Sequence, residues 1–273
     1  MKSFLSFFPV FAAAALLTSC SAVNRTAVMA ASDMVKKGMP QIFSQCDAEY
    51  VKEAMPANLQ LMELLLENDK SNRELSVSAA MGFCGYSLMF LDGEDNERAS
   101  GFYLKGQKYA EAALAGKDRD DLNRNDVPAL FWKTFCKASY MNLNRDKPAV
   151  IASLSELEPA IKKLMDLEPS YFYNGPYSLM GAYEAMRPKM FGGDPYKAME
   201  YFDKALTGEG ADFQFTRFMY AKTAAAEVMD AEKFENLLNS VINSEKKDDK
   251  ICLLNTVART KARKLLEIKD EIF

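Results

Sequence analysis

The chain has 273 residues, with 34 Lys and Arg against 38 Asp and Glu, a formal net charge of −4 and no histidine. Mild acidity offers no basic stripe for nucleic acid. The missing histidine removes Ser-His-Asp and Cys-His nucleophile pairs and most imidazole-based metal sites. An enzyme would have to work through paired carboxylates, lysine or tyrosine. No such pair forms a motif, and Asp248-Asp249 reads as part of a solvated charged loop. The chain is therefore read as a non-enzyme with no cofactor and no metal.

Met1 and Lys2 open a short positive segment, and Phe4 to Leu17 follow without a charge. A bilayer span needs roughly 20 apolar residues, so this run reads as a secretory signal. It ends in Leu17-Thr18-Ser19-Cys20, which resembles a lipobox. The small residues before the cysteine suit a peptidase with a narrow pocket. The expectation is a signal peptide over 1–19, diacylglycerol on Cys20, and a tether over 20–46. Two or more acyl chains anchor stably. The domain then faces the periplasm, with the outer membrane favoured over the inner because Ser21, not Asp, follows the cysteine. No second apolar run reads as long enough to cross a membrane.

Beyond the tether the dominant pattern is helical. Phe234, Leu237, Leu238, Val241 and Ile242 recur at i, i+3, i+4, i+7 and i+8, and sustained period-two alternation is nearly absent. About ten helices are expected, at 47–68, 73–91, 96–115, 126–143, 149–167, 175–187, 195–207, 212–228, 230–243 and 252–268. Asp47 and Asp194-Pro195 read as helix caps. Pro159 predicts a kink or break in the fifth helix. Residues 21–33 read as flexible tether or frayed helix. Cys46, Cys84, Cys136 and Cys252 show no CxxC spacing, so zinc is not expected. An oxidising compartment permits disulfides, but the sequence does not say which. Cys84 and Cys136 lie in apolar helical stretches and read as small packed hydrophobes.

Three helices share a repeat-like spacing: Ala99, Tyr103 and Gly106; Leu157, Ile161, Leu164 and then Pro169; Ala198, Phe202 and Ala205. Small residues let paired helices approach while a large one fills the groove. This is the logic of a tetratricopeptide (TPR) unit. The fold class is therefore all-α, a degenerate TPR-like helical array over 47–273.

Four stretches carry a resemblance to a known family. They are Ala54-Met55-Pro56 before a leucine-rich helix; Phe102-Tyr103-Leu104-Lys105-Gly106-Gln107-Lys108-Tyr109-Ala110; Arg187-Pro188 through Gly192-Gly193-Asp194-Pro195 to Phe202; and Leu254-Asn255 through Lys261-Ala262 to Ile272-Phe273. The chain resembles the TRAP-transporter-associated TPR lipoproteins, the T component, although Lys70 stands where a proline is common and Ile272 where tyrosine is more usual. The resemblance implies a helical scaffold, ring-like oligomers with a homotrimer as the leading expectation, and the solute-binding protein of a TRAP system as partner. The transported class it implies is small organic or apolar solutes.

Several residues are candidates for partner or ligand contact. Tyr171, Tyr173 and Tyr177 belong to the densest aromatic cluster, which either lines a channel or anchors a partner, or fills the joint between helix pairs. Arg187 either meets an anionic ligand or caps a helix C-terminus. Trp132, with Phe131 and Phe135, either packs in the core or faces a ligand. Gly192, Gly193 and Asp194 read as a structural turn, because Asp194 itself would occupy the helix N-terminus. The methionines either fill gaps or form an adaptable apolar surface. Asn255 is the polar residue marked in an apolar helix. A stand-alone carrier that holds an apolar ligand in a cavity or pore is the alternative function.

Overall fold

The computed structural model describes residues 28–245 and 249–273. The expected signal peptide, Cys20 and Asp248 lie outside the described residues. Every regular element is helical, with no strand among the described residues.

The first helix, α1, covers 28–44. This corrects the reading of residues up to 46 as tether. Val28 and Met39 are each only 5% exposed, so one face of α1 is packed and the segment has reason to be ordered. Then follow α2 (Ala48–Asn68), α3 (Arg73–Tyr86), α4 (Asn96–Ala113), α5 (Val127–Leu143), α6 (Pro148–Ser153) and α7 (Leu157–Leu167). The second half holds α8 (Tyr171–Met186), α9 (Pro195–Ala205), α10 (Gln214–Tyr220), α11 (Ala231–Ile242), α12 (Cys252–Glu267) and a short α13 (Lys269–Ile272). Asp47, Asp194, Asp95 and Asp230 cap α2, α9, α4 and α11 through their carboxylates, and Asn72 caps α3 through its amide oxygen. Each accepts from an N–H that the first turn leaves unpaired.

Local chemistry explains the departures from the expected boundaries. The helix expected over 149–167 breaks at a 3₁₀ turn over Leu154–Glu156, upstream of Pro159. Pro159 then falls in the first turn of α7, where its missing N–H costs nothing. Two helices pass into π-helical turns, Ser87–Leu91 after α3 and Ala221–Ala225 after α10. The N–H of Asp92 donates back to the carbonyl of Ser87 at 2.8 Å.

The helices pack mainly on their sequence neighbours, with α3 on α4, α4 on α5, and α8 on α9. The repeat-like residues lie on the helices of these joints and on α7, which packs against α5 and α8. Ala99, Tyr103, Ile161, Leu164, Ala198, Phe202 and Ala205 are fully buried. A Cβ on Gly181 would lie 3.1 Å from the carbonyl oxygen of Ala198, so this glycine sets how closely α8 meets α9. The array curls until α12 returns to pack against α2 and the π turn after α3. Asn255 helps close it: its Oδ1 accepts from the N–H of Gln214 at 3.0 Å, and its Nδ2 donates to the carbonyl of Asp212 at 2.9 Å.

Two disulfides reinforce this closure. Cys46, just after α1, bonds Cys252 at the start of α12, with Cα atoms 5.0 Å apart. Cys84 of α3 bonds Cys136 of α5, with Cα atoms 5.6 Å apart. The second corrects the reading of Cys84 and Cys136 as free packed thiols. Both are fully buried as that reading required, but they face each other across α4. Gly106 makes the room, since a Cβ there would lie 2.2 Å from the Cys84 Sγ. The 19-residue stretch Arg73–Leu91 is also long and apolar enough to cross a membrane, contrary to expectation. It is a mostly buried core element here, packed by α2, α4 and α5.

Candidate ligand cavity

The curled array surrounds an apolar cavity of about 130 Å³ that opens to solvent at its mouth. Elements far apart in sequence build the walls. Met39, Ile42 and Phe43 come from α1, Met55 from α2, and Met81, Gly82, Gly85 and Tyr86 from α3. Phe131, Trp132 and Phe135 come from α5, and Leu179, Ala182 and Met186 from α8. Phe213, Phe215 and Phe218 close the side next to α10. Met39, Met55, Met81, Met89, Met186 and Met219 all line the space. Unbranched thioethers adapt to ligands of varied shape.

The aromatic wall depends on an unusual piece of backbone. Phe172, Tyr173 and Asn174 are all left-handed, with φ of 47°, 58° and 59°. Non-glycine residues resist this region by roughly 1–2 kcal/mol each. The buried Asn174 amide offsets part of that cost. Its Nδ2 donates to the carbonyls of Ala205 at 3.1 Å and Thr207 at 2.7 Å. The turn inserts the Phe172 ring into the cavity wall. There its centroid lies 5.1 Å from Trp132, 5.7 Å from Phe131, 5.8 Å from Phe213 and 6.2 Å from Phe43. Strain of this kind gathers at functional sites.

The sequence-predicted residues divide by position. Trp132 lines the cavity, 3% exposed, in edge contact with Phe135 and Phe172. Its indole Nε1 is buried without an acceptor. Tyr171 and Tyr173 stand behind the wall, against Phe131 at 5.1 Å and stacked on Phe213 at 5.0 Å. Burial pushes the Tyr171 phenol up to about 12. Tyr177 is half-buried on α8 and does not join the lining.

Arg187 is committed elsewhere. It donates to Glu184 at 2.8 Å, to the Tyr183 hydroxyl at 2.9 Å and to the carbonyl of Gly192 at 2.6 Å, and it lies 3.5 Å from Glu158. It thereby holds the turn after α8. Gly192 is left-handed at φ 87°, and a Cβ on Gly193 would lie 1.7 Å from the Arg187 carbonyl oxygen. Asp194 accepts from the N–H groups of Tyr196 and Lys197. This arrangement supports the chain and stands apart from the cavity lining.

Sequence reasoning did not find the charged part of the lining. It consists of Asp92, Lys222 and Lys261, the charged residues among those lining the cavity. Asp92 follows the first π turn and Lys222 lies in the second. The Lys222 Nζ is 3.4 Å from the Asp92 Oδ1. The Lys261 Nζ donates to the backbone carbonyl of Asp92 at 2.6 Å. The Tyr103 hydroxyl donates to the Asp92 Oδ2 at 3.1 Å, and burial raises that phenol well above its usual range. Burial also holds the Lys261 ammonium below the usual lysine value. π turns recur at functional sites, but no sequence pattern announces them. No group of three His, Cys, Asp or Glu that could hold a metal occurs among the described residues.

A family model described as TRAP transporter T-component matches residues 44–124 and 117–273. No curated protein matches the chain.

Proposed function

Because the chain belongs to the TRAP transporter T-component family, we propose that it is a non-catalytic, lipid-anchored scaffold that works beside the solute-binding protein of a TRAP transporter and holds an apolar solute in its cavity. The cavity is the observation that carries this reading: about 130 Å³, walled by aromatic and methionine side chains and surrounded by the curled array. A purely adhesive scaffold has no need of such a space, because packed interiors leave few voids larger than a water.

In this reading Trp132 and Phe172 contact the solute, and Tyr171 and Tyr173 brace them. Tyr177, half-buried on α8 and outside the cavity lining, belongs to the partner-facing surface. Arg187 acts by holding the Gly192-Gly193-Asp194 turn. The protein is membrane-associated in the periplasm. The lipid on Cys20 is its anchor, with the outer membrane favoured and a homotrimer as the assembly. The helical array suits such work, since stacked helix pairs leave extended surfaces free for a partner.

A tagged bait exposed to periplasmic extract tests the proposal. Stoichiometric retention of a solute-binding protein, competed by untagged bait, is the expected result. Its absence with a folded bait would remove the scaffold role and leave the stand-alone carrier. That second reading is favoured by the cavity alone.

A further inference from the structure

The cavity is chemically lopsided. Most of its wall is uncharged, and its three charges meet at one place, where the two π turns and α12 converge on Asp92. Two ammonium groups there face one carboxylate, which leaves a net charge of +1. Glu94 does not cancel it, because its carboxylate is taken by the exposed Lys264. The Tyr103 hydroxyl already occupies the second oxygen of Asp92.

The hydrogen-bond inventory points the same way. An ammonium carries three donors. Lys261 spends one on a backbone carbonyl, and no carboxylate partner for it occurs among the described residues. Among the described residues Lys222 has only the 3.4 Å contact to Asp92 and a distant approach to the Phe218 ring, 6.0 Å from its centroid. The Lys222 side chain is 32% exposed and turns donors to water, whereas the more deeply buried Lys261 holds unspent donors at the edge of an apolar space, where an anion completes them. The anion that fits bears a single charge and carries an apolar body to fill the rest of the cavity.

We propose that the cavity takes a single-chain amphiphile ending in a carboxylate, with the carboxylate held between Lys222 and Lys261 and the tail directed along the aromatic wall of Trp132 and Phe172. This rests on the reading of the cavity as a ligand site and names the ligand's class. Lys222 and Lys261 select the head group. The methionines and aromatic rings accept tails of different length and shape. Asp92 spaces the two lysines and keeps a second anion out.

The test is a competition. The purified full chain is incubated with an equimolar mixture of hexadecanoic acid and hexadecan-1-ol and then washed. Retained ligand is quantified by mass spectrometry against a protein-free detergent blank. The acid should be retained at least about 10-fold over the alcohol, the scale of one or two charge-assisted hydrogen bonds. In Lys222→Gln and Lys261→Gln the ratio should fall toward one. Equal retention of acid and alcohol by the unaltered protein would overturn the carboxylate site and leave the apolar cavity standing. An acid preference that survives both substitutions would overturn the role of the lysines. Retention of neither ligand above the blank would overturn the cavity reading itself, and this proposal with it. The ratio in the unaltered protein decides the matter even if a variant does not fold.

Discussion

Gly85 offers a perturbation in which stability and ligand binding should move in opposite directions. It lies on α3, lines the cavity, and has no heavy atom within 4 Å of the place a Cβ would take. Leucine there has open space to enter. Replacing a helical glycine gains about 0.8 kcal/mol of helix propensity. Burying the added carbons against the cavity wall raises the gain to about 1–3 kcal/mol. At about 2–4 °C per kcal/mol, Tm should rise by several degrees. A ligand tail loses the space of about four methylenes, near 0.8 kcal/mol each, or about 3 kcal/mol in all. That corresponds to roughly 200-fold weaker binding.

Thermal melts and the retained-ligand assay measure the two effects on the same samples. Neighbouring glycines supply the contrast. A Cβ on Gly82 would lie 2.7 Å from the Leu59 Cδ2, and one on Gly106 2.2 Å from the Cys84 Sγ. Alanine at Gly106, whose Cβ also meets the Ala80 carbonyl oxygen at 3.1 Å, should lower stability by about 1–3 kcal/mol through overpacking, whereas at Gly82 the end of the Leu59 side chain can shift and the loss should be smaller. A Gly85→Leu protein that melts earlier would show that the space is not empty. One that is stabilised yet binds apolar ligand normally would show that ligand sits elsewhere.

Other perturbations have equally definite outcomes. Asn174→Ala removes two buried amide hydrogen bonds and puts alanine in a left-handed site, and should cost about 3 kcal/mol in urea unfolding. Asn174→Gly, which tolerates the backbone, should cost less by about 1 kcal/mol. Removing the Cys46–Cys252 bond by paired alanine substitutions opens a loop of 206 residues, with a chain-entropy cost of about 5 kcal/mol as an upper figure. A midpoint unchanged in urea would mean that the ends of the array are held without it. Asp126 is inaccessible to solvent. Burial opposes its charged form, yet hydrogen bonds from Lys117 and the Asn123 N–H, with Arg73 nearby, leave its carboxyl below the usual value. A carboxylate depressed in the folded state adds stability that is present above its unfolded value near 4 and lost as pH falls through the folded value. Asp126→Asn should therefore narrow the stability gap between pH 6 and pH 3, read from urea midpoints at the two pH values.

Much of the helical frame was legible in the sequence, because amphipathic periodicity and capping are local. Leu157, Ile161 and Leu164 announce a buried stripe within eight residues, and Asp194-Pro195 announces a helix start in two. The regular part of α8 also begins where expected, at Gly175, but nothing in Tyr171 to Asn174 signalled three successive left-handed residues without a glycine. Their stability comes from carbonyls more than 30 residues away, at Ala205 and Thr207. The cavity was hidden for the same reason. Lys222 and Lys261 are 130 and 169 residues from Asp92. In the sequence Lys261 stands out only as part of the C-terminal stretch that resembles the family. Trp132 could be singled out because it is the sole tryptophan, whereas Phe172 looked like one ring among several. The disulfide between Cys84 and Cys136 needed knowledge that α3 and α5 meet across a glycine of α4.

The bond that joins the two ends of the array also imposes a timetable on its making. A chain delivered N-terminus first presents Cys46 long before Cys252, which follows 206 residues later, while Cys84 waits only 52 residues for Cys136. At roughly 5–20 residues per second the longer interval is about 10–40 s. Cys84 is the next cysteine to follow Cys46, and it is the wrong partner. Correct closure therefore depends on α3, α4 and α5 burying Cys84 with Cys136 before Cys46 can capture it. Early docking of α3, α4 and α5 would keep the Cys46 thiol available for α12.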